Sequence, residues 1–252
     1  KIVEKINSKT KAIIPVHLFG HPAMMDDIVN ICEKYNLFLI EDCAQAHFAE
    51  WKNKKVGTFG IAGTFSFFPG KNLGAFGDAG AIITDDDNFA DRVRMFANHG
   101  QLVKHNHQIE GINSRLDSIQ GAILSVKLRY IDKWNNLRIH AAKNYNTMLS
   151  SIDGIEIPHI DPHVKHVFHL YVIRVNNREK LIEHLKINNI VTGIHYPTPL
   201  PFLKPYKYLN HDEIDFPIAN KYKNKILSLP IFPELTDQQI EYIVNIIKEN
   251  FK

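Results

Sequence analysis

Lys71 and Asp42 are the two residues whose types and settings suit carbonyl–amine chemistry. Lys71 lies in Ser66-Phe67-Phe68-Pro69-Gly70-Lys71-Asn72, shortly after an apolar stretch. Asp42 lies earlier, in Ile40-Glu41-Asp42-Cys43-Ala44-Gln45, at the end of another. A lysine amine can form a Schiff base with an aldehyde, and a carboxylate can hold a protonated ring nitrogen. Pyridoxal 5′-phosphate needs both. Residue type alone is a weak guide, because most Lys and Asp residues are solvated surface charges. An Asp after a strand is also a frequent helix N-cap.

The surrounding pattern supplies elements that could position the pair. Ala12 to Phe19 reads as a strand, and a helix is expected from Pro22, with Asp26 and Asp27 in its first turns. Met25, Ile28, Val29 and Cys32 recur at i, i+3, i+4 and i+7 as its apolar stripe. Leu37 to Ile40 is a short continuous apolar run, the pattern of a strand buried on both faces. Thr64 to Phe68 and Ala81 to Thr84 are further strands. Asp85 to Asn98 reads as a helix with Phe89, Val93 and Phe96 on one face. Alternating strands and helices imply an α/β layer with a largely parallel sheet, and ligands of such sheets collect at the carboxyl ends of strands. Asp42 and Ser66 fall at or near such ends.

From Leu116 to Met148 apolar residues recur every three or four positions without a proline, which predicts one long helix linking two domains. Beyond Ser150 the pattern changes. Ile155 to Ile157 and Phe168 to Val175 read as strands, Arg178 to Lys186 as a helix, and Thr236-Asp237-Gln238-Gln239 as a capping box for a last helix with stripe Ile240, Ile243, Val244 and Ile247. Residues 1–130 are expected to form a large domain, and 131–252 a small α+β domain containing most of the linking helix.

Composition excludes several classes. The chain has 252 residues, 44% apolar and 23% charged, with a net charge of +3, as in ordinary soluble globular proteins. The basic run Lys52-Asn53-Lys54-Lys55 is short and reads as a solvated turn, so no nucleic-acid partner is expected. No apolar run approaches a membrane span, and no signal-peptide core opens the chain. The two cysteines, Cys32 and Cys43, lie in apolar stretches without metal-ligand spacing and read as buried thiols of a reducing cytoplasm. His163, His166 and His169 repeat every three residues, but Pro158 and Pro162 argue against a helix there, so no metal site is expected. Gly74, Gly77 and Gly80 form neither a dinucleotide fingerprint nor a Walker loop.

Five segments occur in an order that carries a resemblance. They are Ile13-Ile14-Pro15-Val16-His17-Leu18-Phe19-Gly20; Glu41-Asp42-Cys43-Ala44-Gln45-Ala46; Ser66 to Asn72 with Gly77-Asp78-Ala79-Gly80; Gly111-Ile112-Asn113-Ser114-Arg115-Leu116-Asp117; and His195-Tyr196-Pro197. With them the chain resembles the DegT/DnrJ/EryC1/StrS family of pyridoxal-phosphate-dependent nucleotide-sugar aminotransferases. The resemblance implies an α/β, type I aminotransferase-like large domain plus the small α+β domain. The family carries a large additional N-terminal part, with a Gly-Thr phosphate loop and an aromatic that stacks on the cofactor ring. Nothing here matches it, so the large domain is expected to be truncated at the N-terminus.

The resemblance also implies roles. Asp42 would hold the pyridine nitrogen. Lys71 would anchor the cofactor and then move the proton, which needs its pKa lowered by burial or neighbouring charge. Ser66 would donate to the cofactor phosphate and Gln45 to its ring oxygen, although either could satisfy local backbone instead. Asn113 would reach the phosphate from a neighbouring subunit, making the active site shared in a homodimer; the other reading is an N-cap of the long helix. His195 and Tyr196 would face the sugar, or form only a Tyr-Pro turn, and His47 is a further substrate-side candidate. His47-Phe48-Ala49 and Leu200-Pro201 depart from the family pattern and put substrate contacts in question.

The function implied is transfer of an amino group from an amino acid, with glutamate the expected donor, to a keto group of a nucleotide-linked sugar, in a cytoplasmic step toward cell-surface polysaccharide. The stretch from Asn98 to Asp117 favours carbon 3 of the sugar, unless its histidines are merely solvated. Two alternatives stand beside this. One is a sugar dehydratase of the same family, which carries histidine where Lys71 stands. The other is a non-catalytic remnant that binds a partner or a nucleotide sugar.

Overall fold

The computed structural model describes residues 1–251. In chain order its elements are α1 (Ile2–Lys5), β1 (Ala12–Ile13), α2 (Met25–Tyr35), β2 (Phe38–Asp42), β3 (Glu50–Trp51), β4 (Lys54–Lys55), β5 (Ala62–Ser66), β6 (Gly80–Ile83), α3 (Asp87–Ala97), α4 (Ser118–Leu128), α5 (Ile131–Leu149), β7 (Ile155–Glu156), β8 (Val164–Lys165), β9 (Tyr171–Val175), α6 (Arg178–Ile187), α7 (Pro217–Tyr222), β10 (Ile226–Leu229) and α8 (Asp237–Asn250). They form two compact units. The first comprises Lys1–Asn135 and Asp161–His169; the second comprises Asn136–Ile160 and the chain from Leu170 onward.

In the first unit a four-stranded sheet has the order β1-β2-β5-β6. β1, β2 and β5 run parallel and β6 pairs antiparallel with β5. Helix α2 packs on β1 and β2, placing Met25 and Cys32 in a cluster with Leu39 and Trp51. This helix starts at Met25, later than the Pro22 expected from sequence, and closes at Asn36 in the left-handed conformation. β1 is much shorter than the expected Ala12 to Phe19. Pro15 has no N–H to give a ladder, and pairing beyond it survives as a single bridge between Val16 and Asp42. The Leu37 to Ile40 run is not buried on both faces either. Leu39 and Glu41 point inward, whereas Phe38 is 59% exposed. The period of two makes this a strand with one covered face.

The long helix expected from Leu116 to Met148 is two helices. At the end of α4 the bonding tightens to i→i−3, from Arg129 N–H to Val126 O (3.3 Å) and from Tyr130 N–H to Lys127 O (2.9 Å). The chain redirects there so that Ile131 enters the cluster of Leu73, Ala75 and Leu124. No proline or glycine marks the break.

The second unit contains the antiparallel sheet β10-β9-β7, and α6 packs against α8. Its core holds Tyr145, Tyr171, Ile173, Leu181, Leu227, Ile240 and Ile247, all fully buried. The capping box of α8 forms as the sequence reads: Gln239 N–H donates to Thr236 Oγ1 and Thr236 N–H to Gln239 Oε1. Among the described residues no helix is long and apolar enough to cross a membrane.

Candidate active site

Asp42 is held at the carboxyl end of β2 by strands on both sides. Its N–H donates to Pro15 O (2.9 Å), its carbonyl accepts from His17 N–H (3.1 Å), and it lies opposite Thr64 of β5. One carboxylate oxygen accepts from Ala44 N–H at 3.0 Å. The next strand ends at Ser66, whose Oγ accepts from Phe68 N–H at 3.3 Å, and the loop beyond it carries Lys71. Lys71 N–H donates to Phe68 O (2.9 Å), and Ala75 N–H to Phe67 O (2.8 Å), so the loop is closed by its own backbone.

Burial pushes the Lys71 ammonium below its ordinary pKa, and the carboxylate of Asp42 opposes that shift. The Lys71 ammonium thus lies within electrostatic reach of the Asp42 carboxylate. His47 joins them. Its pKa is pushed down to about 4 by burial and by the charge of Lys71, against the Ser66 backbone beside the ring. Neither ring nitrogen of His47 makes a hydrogen bond. The ring lies tilted against Phe65 and Phe67, at 5.6 and 5.7 Å between centroids. It lines an apolar cavity of about 500 Å³ bounded by these phenylalanines, Leu73 and Leu124, which neither Lys71 nor Asp42 borders. Gln45 is buried, and its Oε1 accepts from Phe19 N–H at 2.6 Å, which fixes the orientation of the amide.

The structure thus brings together Asp42, Gln45, Ser66, His47 and Lys71 around the ends of β2 and β5. Asn113 is exposed; its Oδ1 accepts from Arg115 Nε (3.2 Å) and its backbone bridges Asn98, while its neighbours Ile112, Ser114 and Arg115 line a cavity together with Ser66. It does not cap α4; that position is Asp117. His195 and Tyr196 belong to the second unit. His195 Nδ1 lies 2.8 Å from Ser228 Oγ, and Tyr196 meets the His195 ring edge-on. His163, His166 and His169 take separate partners: Trp51, the His21 and Phe168 rings, and Asn72.

Two supports escaped sequence reasoning. Glu41, beside Asp42 but on the opposite face of β2, accepts from His17 Nε2 and from the N–H groups of Gly57, Phe59 and Gly60. Ala23 N–H donates to His17 Nδ1, so the ring proton sits on Nε2. Cys43 Sγ also lies near these groups, but the His17 and Glu41 atoms already have protein partners, and burial pushes the Cys43 thiol up. The second support is Asn72, buried immediately after Lys71 and bonded to Asn135. An acid adjacent to Asp42 and an amide adjacent to Lys71 were the only signals available.

The chain is similar over nearly its whole length to known proteins. The profile of the DegT/DnrJ/EryC1/StrS aminotransferase family matches residues 1–248. The dTDP-3-amino-3,6-dideoxy-alpha-D-galactopyranose transaminase of Aneurinibacillus thermoaerophilus is 44% identical over 98% of the chain and 67% of its own length. The dTDP-3-amino-3,4,6-trideoxy-alpha-D-glucose transaminase of Streptomyces venezuelae is 39% identical, over 98% of the chain and 66% of its own length. The crystal structure of S. venezuelae DesV in complex with a ketimine intermediate superposes with a TM-score of 0.95 at 38% identity, covering 98% of the chain and 67% of DesV. The chain therefore spans about two thirds of the length of these relatives.

Proposed function

Because the chain belongs to the DegT/DnrJ/EryC1/StrS aminotransferase family, we propose that it transfers an amino group from an amino acid, glutamate being the expected donor, to a keto carbon of a nucleotide-linked sugar. The observation that carries this reading is a partly desolvated Lys71, in the loop that follows β5, within electrostatic reach of Asp42 at the end of the adjoining strand β2. These residues fit pyridoxal phosphate. Asp42 has one oxygen engaged by Ala44 N–H and the other oxygen to receive a ring N–H. Ser66 accepts at Oγ from Phe68, which leaves its O–H to donate to a phosphate. Bound there, the cofactor would supply the electron sink that lets nitrogen pass between two carbon skeletons.

The chain's own residues do the rest. Burial favours the neutral amine of Lys71, the form that can add to a carbonyl and then accept a proton at Nζ. Asp42 keeps the ring nitrogen protonated through a charge-assisted hydrogen bond. Gln45, oriented by Phe19, serves the ring oxygen. His47 stays neutral, so no second cation competes beside Lys71. Asn113 serves the phosphate of a neighbouring subunit in a homodimer, which accords with the exposure of its side chain. His195 and Tyr196 face the sugar. The presence of lysine at position 71 disfavours the dehydratase alternative.

We place the acceptor ketone at carbon 3 of a dTDP- or UDP-linked sugar, in a cytoplasmic step toward cell-surface polysaccharide such as lipopolysaccharide. Relatives named as 3-amino-sugar transaminases support that carbon. The test is the reverse reaction, with 3-amino and 4-amino sugar nucleotides offered separately and conversion of the cofactor followed by absorbance. Turnover of the 3-amino compounds is expected. Turnover of only the 4-amino compounds would overturn the choice of carbon and leave amino transfer standing.

A further inference from the structure

The residue after Lys71 is tied into a buried polar chain whose direction is fixed. Asn72 Nδ2 lies 3.0 Å from Val167 O and 2.9 Å from Asn135 Oδ1; Asn135 Nδ2 lies 2.9 Å from His47 O; and Asn72 Oδ1 lies 3.2 Å from His169 Nδ1. The backbone carbonyls of Val167 and His47 can only accept, so each must face an amide NH₂. That sets Asn72 to donate to Val167 and Asn135, and Asn135 to donate to His47. Asn72 is left with only its carbonyl oxygen toward His169, so His169 must carry its proton on Nδ1. All of these residues belong to the first unit. Asn72 and Asn135 are almost wholly buried, and a side chain placed there without partners would be strongly unfavourable.

The chain connects both halves of the candidate site. Val167 N–H donates to Gly20 O (3.1 Å). Gly20 sits at φ +96°, where a Cβ would stand 3.0 Å from Gln45 O, 3.1 Å from His169 N and 2.9 Å from Val167 Cγ2. Residues 167–169 are thus wedged between the Asp42–Gln45 turn and Asn72. His47, whose carbonyl ends the chain of bonds, is the residue whose ring senses Lys71.

We infer that Asn72, Asn135 and His169 are positioning residues that set the reach and hydration of the Lys71 amine relative to Asp42. The inference rests on the aminotransferase reading only in taking Lys71 as the amine that matters. The role needs amides of one orientation and a donor at His169. A side chain that merely filled space would serve packing equally well, and this difference makes the inference testable.

The experiment measures the protonation midpoint of Lys71 by trace acetylation with acetic anhydride across pH, read by mass spectrometry of the Lys71 peptide, without added cofactor. Wild type, Asn135→Leu, His169→Phe and His169→Asn are compared, with melting temperatures taken in parallel. His169→Phe removes the donor, while His169→Asn presents an N–H at nearly the place of Nδ1. The expected result is a midpoint below 10.5 in wild type, raised by at least about half a unit in Asn135→Leu and His169→Phe, or about threefold less labelling at neutral pH. Recovery toward wild type is expected in His169→Asn. Should Asn135→Leu fail to fold, the His169 pair decides, because that side chain is only half-buried. Lowered melting temperatures with a wild-type Lys71 midpoint in every folded variant would overturn the inference. Failure of pyridoxal phosphate to attach at Lys71 would instead defeat the aminotransferase reading, and the midpoint comparison, made without it, would still decide the role of the three residues.

Discussion

His17 Nε2 donates to Glu41 Oε2 across 3.1 Å, with both side chains fully removed from solvent. Three backbone N–H groups complete the shell of the carboxylate, two of them at 2.7 Å. Burial alone would raise the Glu41 pKa, but the hydrogen bonds from His17, Gly57 and Phe59 outweigh it and lower the net value. Glu41 thereby holds the 57–60 loop and the turn at His17 around the strand that ends in Asp42. Glu41→Ala is expected to destabilise the protein by on the order of 3–5 kcal/mol, because two buried and two half-buried donors lose their acceptor. A chemical-denaturation difference under 1 kcal/mol would contradict that role.

Acid stability follows from the same groups, with the sign fixed by which state binds more protons. His47 and His166 are buried and neutral, with pKa values pushed down to about 4 and about 3, chiefly by burial. As pH falls below the ordinary histidine value of 6.5, the unfolded chain takes up these protons and the folded one does not. Stability therefore drops from about pH 6.5 toward 4. Glu41, with a lowered pKa, adds a further loss as pH falls below its ordinary value of 4.5. For His47 the full window amounts to about 3 kcal/mol. His47→Leu should flatten the slope of stability between pH 6.5 and 4 by up to one proton. An unchanged slope would show that His47 is already protonated in the fold.

Much of this arrangement was legible in the sequence. Asp42, Ser66 and Lys71 each close or follow a short apolar run, and the strand-end rule for α/β sheets placed them together. The family and the aminotransferase fold expected from five ordered segments agree with the profile match and with the superposition on DesV. The Thr236–Gln239 capping box needed only four residues to be recognised. What stayed hidden was non-local. Asn72 and Asn135 are 63 positions apart, and neither residue type announces a partner. The break at Arg129–Tyr130 is invisible because apolar spacing continues on both sides. What ends α4 is the burial of Ile131, which no local signal encodes. Glu41 sat on an apolar strand whose faces the sequence did not distinguish.

Asp42→Asn removes the charge that would keep a ring nitrogen protonated while preserving size and the bond from Ala44. The variant is expected to retain pyridoxal phosphate at Lys71 but to lose kcat by at least about a hundredfold, or about 2.7 kcal/mol of transition-state stabilisation. Near-wild-type turnover would remove Asp42 from its assigned role.

Assembly gives an independent check on Asn113. If it serves the site of a neighbouring subunit, mixing an Asn113→Ala variant with a Lys71→Ala variant should restore part of the activity. One site of each hybrid dimer would then carry both native residues. Mixtures no more active than either parent, under conditions where exchange of subunits is demonstrated, would argue that each site is built from a single chain.

Lys71 is proposed here as the amine that holds the cofactor. The most direct measurement is borohydride reduction of the protein after incubation with pyridoxal phosphate, followed by peptide mass mapping, with Lys71→Ala as control. A pyridoxyl mass is expected on the peptide containing Lys71, with its loss in the variant. A label on another lysine, undiminished by Lys71→Ala, would contradict that role.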